Sequence, residues 1–170
     1  MYDLSGAILA VMPPDPEPPA DPECTLTLHY RGVDAPLATY FGGHSYLTFK
    51  NPATGKFAVI EGFQTEQEKL SAQVSFNGIG LIINSPTSDR SFGSVTGAFV
   101  CDWLSTLEAA VVRVKNAIND YKVFGPNSNS ATRYFLDLLK QFTPSGVGSW
   151  FSVPRRAWGW GSTIQGVVYP

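Results

Sequence analysis

Residues 44–63 read HSYLTFKNPATGKFAVIEGF, and this stretch decides the class of fold. Two runs rich in β-branched and aromatic residues, His44–Phe49 and Phe57–Phe63, flank a short polar segment. That segment, Asn51–Gly55, consists of residues that favour turn conformations. The pattern predicts an antiparallel β-hairpin.

Further strands are predicted on both sides of this hairpin. Cys24–Tyr30 alternates apolar with polar side chains, which is the period of a half-buried strand. Asn77-Gly78 supplies the two positive-φ positions of a tight turn between Ala72–Phe76 and Ile79–Asn84. Gly93–Val100 completes the predicted sheet.

Two helices follow the strands. The first is predicted to open at Ser105, with Glu108 three residues later forming a capping box, and to end near Tyr121. The second follows Asn127 and runs to about Phe142 with one apolar stripe. Strands early and helices late predict an α+β fold, an antiparallel sheet with helices packed on one side.

The ends of the chain carry weaker signals. Ser5–Met12 is predicted to be a short strand, and the proline-rich segment Pro13–Pro19 a stiff connection or surface loop. Thr163–Tyr169 is predicted to be a closing strand. The length of 170 residues suits a single domain, with residues 1–23 as an N-terminal appendage and 24–170 as the core.

Composition excludes several classes of partner. The net charge is −2 and the chain has no run of Lys or Arg, so the sequence offers no basic patch for the phosphates of a nucleic acid. No apolar run approaches the ~20 residues needed to span a bilayer, and the first residues lack the basic region of a signal peptide. These features predict a cytoplasmic protein, or one exported without a signal peptide.

Cys24 and Cys101 lack the paired spacing of a zinc or redox motif, so both are expected to be reduced unless the protein matures in an oxidising compartment. Cys101 is a rival nucleophile or a buried structural thiol. The two His residues and scattered carboxylates show no metal-ligand spacing. No metal and no other cofactor is predicted.

Three polar residues are candidates for catalysis. Ser128 opens a helix, where unpaired N–H groups can hold an oxyanion, although it also suits simple capping. His44 follows two glycines at the start of a strand and can be a general base or a polar turn residue. Glu61 can orient that His as the third member of a triad, or be an exposed strand carboxylate.

The run 121–130, YKVFGPNSNS, resembles an uncharacterised bacterial family marked by Gly-Pro-Asn-Ser-Asn-Thr. That family is in turn similar to the permuted NlpC-type papain-like peptidases and to lecithin:retinol acyltransferase-like proteins. In those relatives a His lies on an early strand, a polar residue lies on the next, and Asn-Cys opens a later helix. The resemblance covers roughly residues 37 to 143. This chain departs from the papain-like relatives in having Ser128 for Cys, and Ala131-Thr132 where they usually have Phe or Val.

The resemblance implies a permuted papain-like hydrolase that cleaves an amide or ester acyl bond, with peptidoglycan peptide as the substrate class and delivery as a toxin as one role. It places Ser128 at the nucleophile position, His44 at the base position and Glu61 at the third polar position. Backbone N–H groups near Ser128 and Asn129 would hold the oxyanion.

The substrate-binding residues of this hypothesis are Asn127, Tyr46, Trp158 and Trp160. The two Trp residues, beside Arg155-Arg156, can stack on a sugar or belong to the core. A hydroxyl ionises far less readily than a thiol, so Ser at position 128 changes the chemistry that the resemblance implies. Three alternatives stay open: a Ser hydrolase, a protein whose native Cys has been replaced by Ser, and an inactive descendant of an enzyme. The alternative class is a catalytically inactive papain-like binding module.

Overall fold

The computed structural model describes residues 21–32, 43–77, 90–122, 125–144, 151, 157 and 159–169. In chain order the elements are β1 (Cys24–Gly32), β2 (Gly43–Asn51), β3 (Lys56–Gln64), β4 (Lys69–Phe76), β5 (Arg90–Gly97), a 3-10 helix (Ala98–Asp102), α1 (Trp103–Asn116), β6 (Asn119–Asp120) and α2 (Ser128–Lys140).

The six strands form one antiparallel sheet in the order β5-β1-β2-β3-β4-β6. The two helices pack on one side of it, so the α+β prediction is confirmed. The predicted hairpin is β2–β3, joined by a turn in which Gly55 adopts a φ of 68°. Glycine has no Cβ and reaches this left-handed conformation without strain.

The sheet has two distinct faces, since successive side chains of a strand point to opposite sides. The helix face carries the apolar core residues of the central strands, among them Leu28, Leu47, Phe49 and Ile60, which pack against α1 and α2. The far face carries the residues between them. Its central part is polar and includes His29, Arg31, His44, Tyr46, Glu61 and Gln73.

Each helix contributes one apolar stripe to the core. From α1 these residues are Trp103, Leu104, Leu107, Ala110, Val111 and Val114, and from α2 they are Ala131, Tyr134, Phe135, Leu136, Leu138 and Leu139. Burying a large apolar side chain stabilises a fold by about 1.5–3 kcal/mol, so these stripes hold the helices against the sheet.

The entrance to α1 differs from the prediction. The helix begins at Trp103, and Asp102 is its N-cap without a side-chain capping bond. The Ser105 hydroxyl instead donates to the Asp102 carbonyl at 2.9 Å, so the predicted capping box is wrong. The strand predicted over 93–100 ends at Gly97 because the chain turns there into the 3-10 helix, which leads directly into α1.

Cys24 and Cys101 form a disulfide, with their Cα atoms 5.0 Å apart. The expectation of reduced thiols is therefore wrong for this structure, and so is the reading of Cys101 as a rival nucleophile. The bond joins the start of β1 to the 3-10 helix that follows β5. The two cysteines meet because β1 pairs with β5, with Cys24 opposite Gly97.

The C-terminal segment is not the strand predicted over Thr163–Tyr169. Gly166 has a φ of 77°, which interrupts an extended conformation. The segment is held by Ile164, which is buried, and by Gln165, whose N–H donates to the Asn119 side chain at 2.9 Å. It packs on the core without adding to the sheet.

Several predictions fall outside the described residues. These are the strand Ser5–Met12, the segment Pro13–Pro19 and the strand Ile79–Asn84. Of the predicted tight turn, Asn77 is described and has the expected positive φ of 53°. Across the described ranges, every helix is too short or too polar to cross a membrane.

Candidate functional site

A pair of polar residues, His44 and Glu61, lies on the far face of the sheet. The register pairs Tyr46 with Glu61, which makes His44 a diagonal neighbour of Glu61 on the same face. His44 Nε2 lies 3.1 Å from Glu61 Oε2. The structure thus brings together two of the three residues that the sequence proposed for catalysis.

Glu61 is only 1% exposed, so it is not the exposed strand carboxylate that the sequence left open. Its buried charge is compensated by three donors, one each from β1, β2 and β4. Besides His44, Gln73 Nε2 donates to Oε1 at 2.8 Å, and an Arg31 guanidinium nitrogen lies 3.8 Å from Oε2. A buried carboxylate needs such partners to stay ionised.

The environment fixes the charge of both residues. Burial is the largest influence on the pKa of Glu61 and raises it, but the hydrogen bonds from His44 and Gln73 and the charge of Arg31 bring the pKa below its ordinary value of 4.5. Burial lowers the pKa of His44, and Arg31 lowers it too; the hydrogen bond to Glu61 opposes them without restoring the ordinary 6.5. At neutral pH Glu61 is ionised and His44 is neutral.

These charge states assign the tautomer of His44. An ionised carboxylate only accepts hydrogen bonds, so the ring nitrogen that faces it, Nε2, carries the proton. Nδ1 of the neutral ring is then an acceptor, and none of the described residues donates to it. A neutral imidazole held by a carboxylate in this way can take a proton from water or from a hydroxyl group.

Tyr46 organises the rings around the pair. It stacks on His29 with ring centroids 5.0 Å apart and lies 6.1 Å from the His44 ring, while the Arg31 guanidinium sits 5.7 Å above it. The sequence proposed Tyr46 as a substrate-binding residue. It is only 5% exposed, so its ring serves mainly to pack the charged and imidazole groups against one another.

Ser128 lies on the other side of the sheet. Its Cα is 3.1 Å from the position that a Cβ atom on Gly62 would occupy. Gly62 follows Glu61 in β3, so that Cβ would point to the opposite face, toward the helices. The Ser128 hydroxyl is buried, 3.5 Å from the hydroxyl of Tyr121, at the long limit of a hydrogen bond. Among the described residues, no hydrogen bond joins Ser128 to His44; the hydroxyl of Ser128 lies nearest to that of Tyr121, and His44 is bonded to Glu61.

Asn129 joins α2 to the start of β2. Its Oδ1 accepts from the backbone N–H of Ser45 at 2.8 Å and from the Ser45 hydroxyl at 2.7 Å, and its Nδ2 donates to the Gly43 carbonyl at 2.9 Å. All of these groups are buried. The side chain of Asn129 therefore acts as a polar clamp that sets the position of the helix.

Asn127 is the N-cap of α2. Its side chain accepts from the backbone N–H of Asn129 at 2.9 Å and of Ser130, and the Ser130 hydroxyl accepts from the Asn127 N–H, which completes a capping box. The Asn129 N–H that was proposed for the oxyanion is thus already bonded. Asn127, proposed as substrate-binding, is 4% exposed and occupied by the cap.

The C-terminal segment closes over this cap. The Ser130 hydroxyl lies within hydrogen-bonding distance of the Gly159 carbonyl, and Arg133 donates to the Trp160 carbonyl at 3.2 Å. Trp160 is partly buried and packs against the hydrophobic core. Its position favours the core-packing alternative; Trp158, like Arg155-Arg156, lies outside the described residues.

Arg31 and Gln73 belong to the site although the sequence did not point to them. Both lie on the far face beside the pair, Arg31 opposite His44 and Gln73 opposite Glu61. The signal that could have found them is strand register. Once β1 is aligned with β2 and β3 with β4, these two polar side chains fall next to the candidate base and its carboxylate.

Comparisons with known protein families, with curated proteins and with solved structures give no match to this chain.

Proposed function

We propose that this protein is a hydrolase of amide or ester acyl bonds in which His44 is the general base and Glu61 orients it. One observation carries the proposal: His44 Nε2 lies 3.1 Å from the buried carboxylate of Glu61. Because the pKa of each group is lowered, we take His44 as neutral and Glu61 as ionised, so that Nε2–H donates and Nδ1 is left as the base. Such a pairing is costly to bury and is typical of sites where protons are transferred.

The nucleophile in this proposal is water. His44 Nδ1 takes a proton from a water molecule as its oxygen attacks the acyl carbon, and the carbonyl π electrons move to oxygen. When the tetrahedral intermediate collapses, the C–N or C–O bond breaks and the imidazolium returns its proton to the leaving group. The acid and the amine or alcohol are the products, and His44 ends neutral.

Ser128 is the nucleophile that the resemblance implies, but a water nucleophile fits the geometry better. Ser128 lies against Gly62 on the helix side of the sheet, whereas strand parity directs His44 to the far face. The N–H of Asn129 is engaged in capping. The permuted papain-like architecture and peptidoglycan peptide as substrate class remain part of the proposal on the strength of the run 125–129. In this proposal Ser128 is the first residue of α2 and takes no part in the chemistry.

The experiment is a hydrolysis assay on a panel of peptidoglycan fragments and of amide and ester substrates. His44→Gln and Glu61→Gln should each abolish turnover, while Ser128→Ala should retain it. His29→Gln is the matched control, because His29 is the other of the two His residues, lies on the same face and stacks on Tyr46. Loss of turnover in Ser128→Ala with retention in His44→Gln would reject the proposal.

A second candidate is a catalytically inactive papain-like binding module. It is favoured by the use of Asn127, Asn129 and Ser130 in capping and clamping, which gives each of these side chains a structural role. Calorimetric titration with the same peptidoglycan fragments distinguishes the two. Binding without turnover, unaffected by His44→Gln, is the result that supports the module.

The disulfide supports a further part of the proposal, that the protein works outside a reducing cytoplasm. Disulfides persist in oxidising compartments and are rare where thiols are kept reduced. Protein recovered from its native cells and alkylated before denaturation should show no free thiol at Cys24 or Cys101. Alkylation of both cysteines would contradict this part of the proposal and support a reducing, cytoplasmic location.

A further inference from the structure

The two oxygens of the Glu61 carboxylate have different partners. Oε2 faces His44 Nε2 at 3.1 Å, and Oε1 accepts from Gln73 Nε2 at 2.8 Å. Glu61 is almost fully buried, so solvent does not compete for either oxygen. The orientation of the carboxylate is therefore set by the two side chains on its flanks.

The position of Gln73 follows from the β3–β4 register. Gln73 is directly opposite Glu61, and its neighbours Ala72 and Val74 face the core, so its side chain is directed to the far face. Directly opposed residues have Cβ atoms about 5 Å apart, which is close enough for a Gln amide to reach a Glu carboxylate. The contact is thus built into the sheet.

We infer that Gln73 is a positioning residue: it holds Oε1 of Glu61, keeps Oε2 toward His44, and through that bond fixes the His44 tautomer with Nδ1 unprotonated. The inference rests on the proposed function for its catalytic meaning. If Gln73 were lost, Oε1 would be a buried charge without its amide donor, and the carboxylate would rotate or take up a proton. Either change weakens the hold on Nε2–H.

Other charged and titratable groups surround His44 and must be the same in the wild type and in the Gln73 variants that are compared with it. Arg31 and His29 face it from β1, Tyr46 lies on its own strand and Glu61 on β3. None of these is altered by a substitution at Gln73. A change in the state of the His44 ring therefore reports the loss of the amide itself.

The test is long-range proton–nitrogen NMR of the imidazole rings near neutral pH, where His44 is neutral. The chain has two His residues, so His29→Gln assigns the signals. The wild type should show Nε2 protonated and Nδ1 unprotonated at His44. Gln73→Leu, which removes the donor at similar size, should give a mixture of tautomers, and Gln73→Met is the second variant should the first not fold.

Turnover is the second readout. An oriented general base contributes about 10²–10⁴ to the rate, so loss of its orientation should lower kcat by roughly tenfold or more with KM unchanged. Gln64→Leu is the matched control, an exposed Gln at the end of β3. It should leave tautomer and kcat as in the wild type.

The outcomes separate this inference from the proposed function. A tautomer that is fixed in the wild type and unchanged in both Gln73 variants overturns the positioning role and leaves Gln73 with a structural one. If the His44 tautomer changes in the Gln73 variants but the wild type turns over no substrate, the positioning role is supported and the proposed hydrolase activity is rejected.

Discussion

Removal of the Cys24–Cys101 disulfide should destabilise the protein by several kcal/mol. The bond closes a loop across 77 residues of sequence. Cross-linking a loop of that length lowers the entropy of the unfolded chain by about 15 cal/mol/K, which is about 4.5 kcal/mol at 25 °C. For a chain of 170 residues that loss corresponds to a fall in Tm of roughly 10–15 °C.

The assay compares guanidinium and thermal unfolding of the wild type, oxidised and after reduction, with a Cys24→Ala/Cys101→Ala double variant. The reduced wild type and the variant should unfold at similar, lower midpoints. Their m-values should be higher than in the oxidised protein, because an unfolded chain without the cross-link exposes more surface.

Reductant added to the double variant is the control and must leave its midpoint unchanged. The reasoning is refuted if reduction of the wild type, verified by two titratable thiols, leaves the midpoint where it was. It is also refuted if the untreated protein already titrates two thiols.

Three further predictions concern the helix and the far face. Gly62→Ala would place a Cβ 2.6 Å from that of Ala131, so α2 must move off the sheet; we expect urea unfolding to show a loss of about 1–3 kcal/mol. The pKa of His44 is lower in the folded protein than the ordinary 6.5, so the unfolded chain binds a proton that the folded chain does not. The contribution of His44 to the free energy of unfolding should be fully present above pH 6.5 and fall as the pH drops below it. Unfolding titrations at several pH values will measure this dependence, and His44→Gln should remove it. Ser128→Cys should react slowly with iodoacetamide, with a midpoint at or above about 8.5, because no imidazole faces it, and a midpoint near neutrality would contradict that placement.

The hairpin and α2 could be predicted because their signals are local. Thr48 between Leu47 and Phe49 sets the parity of β2, and Asn127 ahead of an apolar stripe marks the start of a helix. The entrance of α1 was misplaced because Ser105 and Glu108 imitate a capping box, while the packing of Trp103 starts the helix two residues earlier. Tertiary burial outweighs a capping preference of about 1 kcal/mol.

The candidate site could be predicted only in part. The parity of β2 already puts His44 on the side of Thr48 and away from the core. In β3, apolar residues occupy both alternating sets of positions around Glu61, so the face of Glu61 is not evident from the sequence. The pairing of Cys24 with Cys101 depends on which strands are adjacent, and spacing alone does not give that. The side of the sheet on which Ser128 lies likewise depends on how α2 docks.

The disulfide also divides the molecule by the path of its chain. The loop it closes contains β1 to β5, whereas α1, β6 and α2 lie beyond it. If the two chain ends are pulled apart, the tension passes across the sulfur bridge and bypasses those strands. The helical part can then unfold and extend and the sheet can come apart. The chain between Cys24 and Cys101, which are 77 positions apart, adds no length until the bond is reduced. Extension of single molecules with and without reductant would read this difference directly in nanometres.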